Sequence, residues 1–277
     1  MKKHLQESEL ARDSRFRRNK IEDQIFDPRN QGIATRNLGP AQMAADRPAA
    51  TERSRSLMHG IFVGEIQALE GAGRTCFDFE TDEAPFALKL DMARQCWDEA
   101  RHCEISVKLS EHMGSDIGEY GESTFLFAAA CNPDPVFRLC GVNRALEGLA
   151  IDVFSSMKAF GEDSGDPVLT FCEDWMLADE VTHVKMGSDW LRRLTADDPD
   201  RMERALEFQH TVDKVFNLGG FRGESEDNPI QITRRFRELA GFSQEECDEL
   251  AASAQQAMEE ARMMVEMAAA AGATAPS

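Results

Sequence analysis

The sequence Asp-Glu-Ala-Arg-His at residues 98–102 recurs later in the chain as Asp-Glu-Val-Thr-His at residues 179–183. In both copies a His follows a Glu by three positions, and residues with this spacing lie on one face of a helix. Each copy therefore presents a carboxylate beside an imidazole. Pairs of Glu-x-x-His motifs hold two iron or manganese ions in four-helix bundles, where two other helices each add one Glu. The doubled motif predicts a helical bundle built around two metal ions.

The two additional carboxylates must come from the first and third helices of the bundle. The first helix contains Glu65 and Glu70, and the third contains Glu147 and Asp152. In a helical hairpin, two residues at one level lie equally far from the connecting loop, at about 1.5 Å of rise per residue. This criterion selects Glu65 and Glu147 as the residues opposite the two motifs.

A short sequence repeat favours a different choice. Ala-Leu-Glu-Gly occurs at residues 68–71 and again at 145–148, which would pair Glu70 with Glu147. We therefore keep Glu70 and Asp152 as alternate ligands, and both also suit a role as proton relays or as packed, solvated acids. No catalytic residue is predicted beyond the metal ligands themselves. The predicted ligands are Glu65, Glu99, His102, Glu147, Glu180 and His183.

The Asp that precedes each motif Glu predicts a supporting contact. A metal-bound His commonly donates its other ring N–H to a carboxylate. Across the approximate two-fold symmetry of the two hairpins, we expect Asp98 to orient His183 and Asp179 to orient His102. The alternative is that both acids lie on a solvated helix face.

The predicted ligand set also indicates which metals it would bind. Four Glu carboxylates carry four negative charges, which balance two divalent ions in a buried site. Carboxylate and imidazole ligands suit Fe and Mn. We expect two Fe ions, with Mn or a mixed Mn/Fe pair as alternatives, and O2 as a co-substrate.

Composition limits the partners that the protein can have. The 277 residues carry a net charge of −19 and include seven Cys. Such an acidic chain is unsuited to nucleic acid or to an anionic membrane. An odd number of Cys, without a signal peptide or a long apolar run, is typical of reduced thiols, so we expect a cytoplasmic protein.

The pattern of apolar residues and helix-breaking residues predicts an all-α fold in three parts. Residues 1–50 form an N-terminal arm, residues 51–195 a four-helix bundle, and residues 196–277 a C-terminal helical extension that packs on the bundle. An apolar stretch at 125–131 predicts a buried crossover or short helix. Ser243 and Glu246 have the spacing of a helix-capping pair. The bundle helices are predicted at 51–77, 85–113, 135–160 and 166–194, and later helices at 200–218, 230–240 and from Ser243 to about residue 270.

The predicted ligands and their motifs resemble those of the ferritin-like di-metal carboxylate superfamily, which includes rubrerythrins, ribonucleotide reductase small subunits and bacterial multicomponent monooxygenases. More closely, residues 45–242 resemble a bacterial ferritin-like family of unassigned function. The segments that carry this resemblance are 57–68, 177–184 and 237–242. A fainter similarity links the chain to the MiaE tRNA hydroxylases.

The resemblance implies a ferritin-like bundle and a di-iron oxygenase or oxidase. Such an enzyme would hydroxylate, N-oxygenate or desaturate a small organic substrate. An external electron donor is expected, since the chain has no flavin, Fe–S or nicotinamide motif, and a homodimer remains open. One alternative is a non-enzymatic iron-binding or ferroxidase protein. The other is an RNA-modifying hydroxylase, and the acidic charge of the chain disfavours this second alternative. The only tyrosine, Tyr120, is predicted outside the ligand helices, which disfavours a radical role.

Overall fold

In the computed structural model, the described part of the chain covers residues 50–121, 124–220, 222–224 and 230–273. The predicted arm therefore lies outside the described residues, except for its last residue. The fold is all-α, as predicted. Its elements are α1 (Ala50–Phe77), α2 (Phe86–His112), α3 (Phe125–Ala130), α4 (Pro135–Arg138), a π-helix (Leu139–Leu146), α5 (Glu147–Ser164), α6 (Pro167–Leu194), α7 (Pro199–Gly220), β1 (Arg222–Gly223), β2 (Ile230–Gln231), α8 (Arg234–Leu239) and α9 (Gln244–Ala273).

Two long helical hairpins, α1–α2 and α5–α6, form the centre of the fold. The second hairpin has a clear local cause. Gly165 ends α5 in the left-handed conformation (φ 69°), which glycine adopts without strain. The Asp166 carboxylate then accepts hydrogen bonds from the backbone N–H groups of Val168 and Leu169, and Pro167 occupies the first helical position.

The third bundle helix departs from the prediction. It begins at Pro135 as expected, but its Leu139–Leu146 segment is a π-helix in which every residue is buried. Such segments are rare and often occur at functional sites. The segment ends immediately before Glu147, so it sets the direction in which that side chain points. It also lies against α6 so closely that a Cβ on Gly187 would sit 2.4 Å from the Asn143 Cβ.

The crossover between the hairpins contains the short helix α3, in line with the predicted apolar segment. α3 packs against α1, where the Phe127 backbone N–H donates to the Gln67 side chain at 2.9 Å. A Cβ on Gly71 would approach Ala130 to 3.0 Å. The lack of a side chain at Gly71 thus allows the crossover to lie close to α1.

The C-terminal extension is joined to the bundle by buried charges. Arg222 and Arg237 are fully buried and both contact the Asp152 carboxylate, while Arg222 also contacts Asp213. This changes two expectations from the sequence. The segment between the helices predicted at 200–218 and 230–240 contains the short strand β1, paired in parallel with β2, and the helix expected from residue 230 begins at Arg234.

The start of α9 agrees with the predicted capping pair. The Glu246 backbone N–H donates to the Ser243 hydroxyl at 3.1 Å, and the Ser243 N–H donates to the Glu246 carboxylate at 2.8 Å. Within the described ranges, no helix combines the length and apolar character needed to cross a membrane.

Candidate metal centre

The six predicted ligands meet in the middle of the two hairpins. They form two overlapping groups whose possible ligand atoms all lie within 4.8 Å of one another. Glu99 and Glu180 belong to both groups. The first group adds Glu65 and His102, and the second adds Glu147 and His183. No more than 4% of any of the six residues is exposed. These buried Glu and His groups could hold metal ions, with the two shared carboxylates between them.

Helix geometry explains why these residues converge. Each motif places its Glu and His on the inner face of one long helix, α2 or α6. His102 Nδ1 lies 3.1 Å from a Glu65 carboxylate oxygen and 3.1 Å from a Glu180 oxygen. His183 Nδ1 lies 3.2 Å from Glu99. Both histidines therefore turn the same ring nitrogen, Nδ1, toward the carboxylates.

The opposite ring nitrogens contact the two motif aspartates in the crosswise arrangement expected from the sequence. His102 Nε2 lies 3.3 Å from the Asp179 carboxylate, and His183 Nε2 lies 3.3 Å from Asp98. A carboxylate at Nε2 keeps the ring proton on Nε2. The lone pair of Nδ1 is then available to bind a metal ion.

Arg101 joins these two aspartates. Its guanidinium bonds to Asp98 and lies 3.3 Å from Asp179, and it stacks over Trp175 with its centre 4.6 Å from the ring. Hydrogen bonds to His183 and Arg101 outweigh burial and lower the pKa of the Asp98 carboxyl. Asp98 is consequently ionised at neutral pH and suited to accept the imidazole N–H.

Gln95 and Asn143 fix the other side of the centre. The Gln95 amide donates to Glu99 at 3.0 Å and to Glu147 at 2.8 Å, and its oxygen accepts a bond from the Asn143 amide at 2.7 Å. Asn143 comes from the π-helix and Gln95 from α2. This chain of amides holds one shared and one unshared carboxylate in fixed positions.

The pKa shifts in the centre show that its four carboxylates outnumber the two imidazoles that could balance their charge. Burial raises the pKa of Glu65 and of Glu147 well above the ordinary glutamate value, and the neighbouring carboxylates raise both further. Burial would lower the pKa of His102, but its hydrogen bonds to Asp179, Glu180 and Glu65 raise it overall. Protons thus partly compensate the concentrated negative charge.

The hydrogen bonds within the centre leave several buried atoms without a partner. They are one oxygen of Glu99, both oxygens of Glu180 and Nδ1 of His183. Although His102 Nδ1 lies within 3.2 Å of three carboxylates, one ring nitrogen can donate only one hydrogen bond. Buried polar atoms nearly always have a partner. These four atoms belong to predicted ligands, so the residues present fit divalent cations bound among them.

Neither alternate ligand lies in this cluster. Glu70 is exposed on α1 and points away from the bundle interior. Asp152 is fully buried, but its carboxylate contacts Arg222 and Arg237, with the nearest Arg237 nitrogen at 2.7 Å. The Asp152 carboxylate is thus paired with two guanidinium groups and makes no contact with the ligand cluster among the described residues. The hairpin criterion, and not the Ala-Leu-Glu-Gly repeat, selected the residues that meet.

Two other residues on or near α1 have structural contacts outside the ligand cluster. His59 is buried and accepts a hydrogen bond from the Gly118 backbone N–H at 3.0 Å. Tyr120 packs beside the His59 ring, and its hydroxyl donates to Glu52 at 2.9 Å. Both residues attach the segment after α2 to α1.

Several residues of the centre were missed from the sequence. Gln95 lies one helical turn before Glu99, so a search of the motif face of α2 would have found it. Arg101 lies inside the first motif and has no equivalent in the second, which has Thr182 there. Glu173 lies two turns before Glu180 on the same face of α6 and is fully buried. The sequence pattern did not identify Asn143, because its contact with Gln95 depends on the π-helix.

Two broad depressions of the described surface are lined by residues other than the predicted ligands. One, of about 640 Å³, lies at the α5–α6 turn beside Phe171 and Asp174. The other, of about 570 Å³, lies where α6, α7 and the start of α9 meet, beside Arg144 and Phe242. The metal centre itself is enclosed by its own helices.

A family model described as "Protein of unknown function (DUF455)" matches residues 1–248. The chain belongs to DUF455. The match covers both hairpins, the predicted ligands and the contacts of Arg222 and Arg237. A search of curated proteins found no match. The helical fold and buried acid–histidine cluster of this DUF455 member are compatible with a ferritin-like bundle.

Proposed function

We propose that this protein is an O2-dependent di-iron oxidoreductase of the ferritin-like type, which oxidises a small organic substrate. The observation that carries the proposal is the pair of overlapping ligand groups, with Glu99 and Glu180 shared between them. A site for one ion needs no shared carboxylates. Shared carboxylates between two His–Glu pairs suit two ions held close together.

The donor atoms support iron or manganese. All of the ligand atoms are carboxylate oxygens or imidazole nitrogens, a set that suits these metals. Four carboxylates also balance the charge of two divalent ions, which a fully buried site requires. Two bound iron ions would supply the means to bind and reduce O2.

The residues around the ligands would prepare the site for that chemistry. Asp98 and Asp179 hold the imidazole N–H groups, so Nδ1 of each His faces the ions. Gln95 would fix Glu99 and Glu147 through its side-chain amide. The enclosing helices exclude bulk water, which protects reactive oxygen species from side reactions. Electrons would come from an external donor.

The test is iron loading followed by oxygen. The full-length protein is loaded anaerobically with Fe(II) and desalted, and iron per chain is measured before the sample is exposed to O2 in an optical cell. We expect about two irons per chain and a transient visible absorption. Failure to retain iron would contradict the proposal. Iron uptake without turnover of any organic substrate would favour the non-enzymatic iron-binding or ferroxidase alternative.

Matched variants separate the predicted ligands from ordinary acids. Glu180→Ala should remove iron from both positions because Glu180 belongs to both ligand groups. Glu65→Ala should weaken one position, whereas Glu70→Ala, on the exposed face of the same helix, should leave iron binding unchanged. Equal effects of the Glu65 and Glu70 variants would show that the cluster is not the iron site.

A further inference from the structure

Glu173 is a buried acid that the ligand set does not use. It is fully buried, and neither of its carboxylate oxygens has a hydrogen-bond partner among the described residues. Buried carboxylates are almost always paired or hydrogen-bonded. An acid that keeps such a position without a partner therefore has a bound partner or a specific role.

The position of Glu173 links it to the metal centre. Glu173 and Glu180 lie on the same inward face of α6, seven residues apart in the sequence. At about 1.5 Å of rise per residue, their Cα atoms are separated by about 10 Å along the helix. His102 is the charged residue that acts on Glu173, and it lowers the pKa of Glu173 against the larger effect of burial, which raises it.

A second unpaired polar group lies at the same level on α2. The contacts of His102 with Asp179 and of His112 with Asp166 show that α2 and α6 run antiparallel. This register places Glu173 opposite the part of α2 that contains Ser106. Ser106 is fully buried, and its hydroxyl also has no hydrogen-bond partner.

The surroundings of this pair are apolar. On α6 itself, Leu169 and Met176 flank Glu173, and α5 contributes Phe154 and Met157 to the same part of the core. None of these side chains can satisfy a carboxyl group or a hydroxyl. Water is the partner that suits two unpaired buried polar groups, because each buried molecule typically makes about three hydrogen bonds.

We propose that Glu173 and Ser106 form a second buried polar site that holds water, in which Glu173 is a neutral carboxylic acid that donates protons to O2 reduction at the metal centre. This inference rests on the proposed function. The geometry supplies the proton donor and a hydroxyl that both donates and accepts hydrogen bonds, and His102 is near enough to act electrostatically on Glu173. Burial raises the pKa of Glu173 well above its usual range, in agreement with a neutral acid.

The proton balance is simple in the absence of an organic substrate. Two Fe(II) ions each give one electron to O2, which takes up two protons and leaves as hydrogen peroxide. One of those protons comes from the Glu173 carboxyl group through the intervening water, and the other comes from solvent. The carboxylate that remains regains a proton from solvent through the same water before the next turnover.

The first measurement uses the metal-free, full-length protein. Infrared spectra of wild type and Glu173→Gln should differ by one C=O band of a protonated carboxylic acid, which the variant lacks, while bands from the protonated acids of the candidate metal centre remain in both. Glu162→Gln, an exposed acid on α5, should leave that band unchanged. Absence of the band difference would overturn the proposal and would show that Glu173 is ionised and paired with a cation.

The second measurement uses the iron-loaded protein. Glu173→Gln should retain as much iron as wild type but oxidise Fe(II) at least about tenfold more slowly, as expected for loss of a general acid. Glu173→Asp should restore part of the rate. Normal iron with an unchanged rate in Glu173→Gln would overturn this proposal alone. Failure of wild type to take up iron would overturn both this proposal and the proposed function.

Discussion

Two clusters of buried charged side chains lie next to each other along α5, and they differ in charge balance. Around Asp152, two carboxylates meet two guanidinium groups, and their charges cancel within the protein. Around Glu147, four carboxylates meet two imidazoles, and four of their polar atoms have no partner. The first cluster is complete as it stands and attaches the C-terminal extension. The second could hold divalent cations, whose charge would balance that of its carboxylates.

The same chemical change should therefore have opposite effects in the two clusters. Asp152→Asn removes the charge that Arg222 and Arg237 share, and it leaves two buried guanidinium groups with reduced compensation. Breaking a buried ion pair in this way costs about 3–5 kcal/mol. Denaturant unfolding of the metal-free protein should show a loss of stability of that size.

The control for this substitution is Glu162→Gln, an exposed acid on the same helix. It should change the free energy of unfolding by less than about 0.5 kcal/mol. A similarly small effect for Asp152→Asn would mean that the Asp–Arg cluster does not hold the extension to the bundle.

The second prediction concerns the contacts that orient the imidazoles. Asp98→Ala removes the carboxylate at His183 Nε2, and also a partner of Arg101. Loss of such a supporting contact typically weakens metal affinity by about 10–100-fold. A competition titration with a metal chelator would measure the change. Glu104→Ala, on the exposed side of α2, should leave the affinity unchanged, and equal affinities for both variants would show that Asp98 is a solvated acid only.

The ligands of the candidate metal centre that lie on regular helices could be predicted from the sequence. Spacing of three residues and equal distances from two loops were enough to select Glu65 and Glu147, because α1, α2 and α6 are regular along their length. The π-helix was not predicted, since its residues have the same apolar pattern as an α-helix. It nevertheless leaves Glu147 on the inner face, as the hairpin criterion required.

The balanced cluster was less predictable than the metal centre. Arg222 lies among Gly, Ser and acidic residues that are typical of an exposed loop, and its burial depends on Asp213, nine residues earlier, and on Asp152, 70 residues earlier. Arg237 and Glu173 each lie in a helix whose polar residues are mostly solvated. Sequence periodicity shows which face a residue occupies, but it does not show whether a charged residue on that face has a partner.

The third prediction concerns the unbalanced cluster itself. Glu147→Gln keeps the shape of the side chain and replaces one of four crowded acids with an amide that can donate a hydrogen bond to Glu180 without carrying a titratable proton. Without metal, the variant should be more stable than wild type by about 1–2 kcal/mol, the scale of one poorly satisfied buried group. Denaturant unfolding in the presence of a chelator tests this, and a loss of stability would show that the acids are already compensated within the protein.

The smallest predicted change in stability concerns Glu173, which belongs to neither cluster. Glu173→Met replaces an unpaired acid in an apolar region with a side chain of similar length, so the metal-free variant should be more stable by about 1 kcal/mol. The gain should depend on pH in a defined direction. Because burial raises the pKa of Glu173 in the folded protein, the unfolded chain releases a proton that the folded protein retains.

The stability of wild type relative to Glu173→Met should consequently fall as the pH rises above the ordinary glutamate value of 4.5. The difference should be smallest below that pH, where both the folded and unfolded forms of wild type carry the proton. Thermal unfolding at pH 4 and pH 7.5, with a chelator present, measures the change. A stability difference that is the same at both pH values would mean that Glu173 titrates alike in the folded and unfolded chain, and that its carboxylate has an ionic partner in the fold after all.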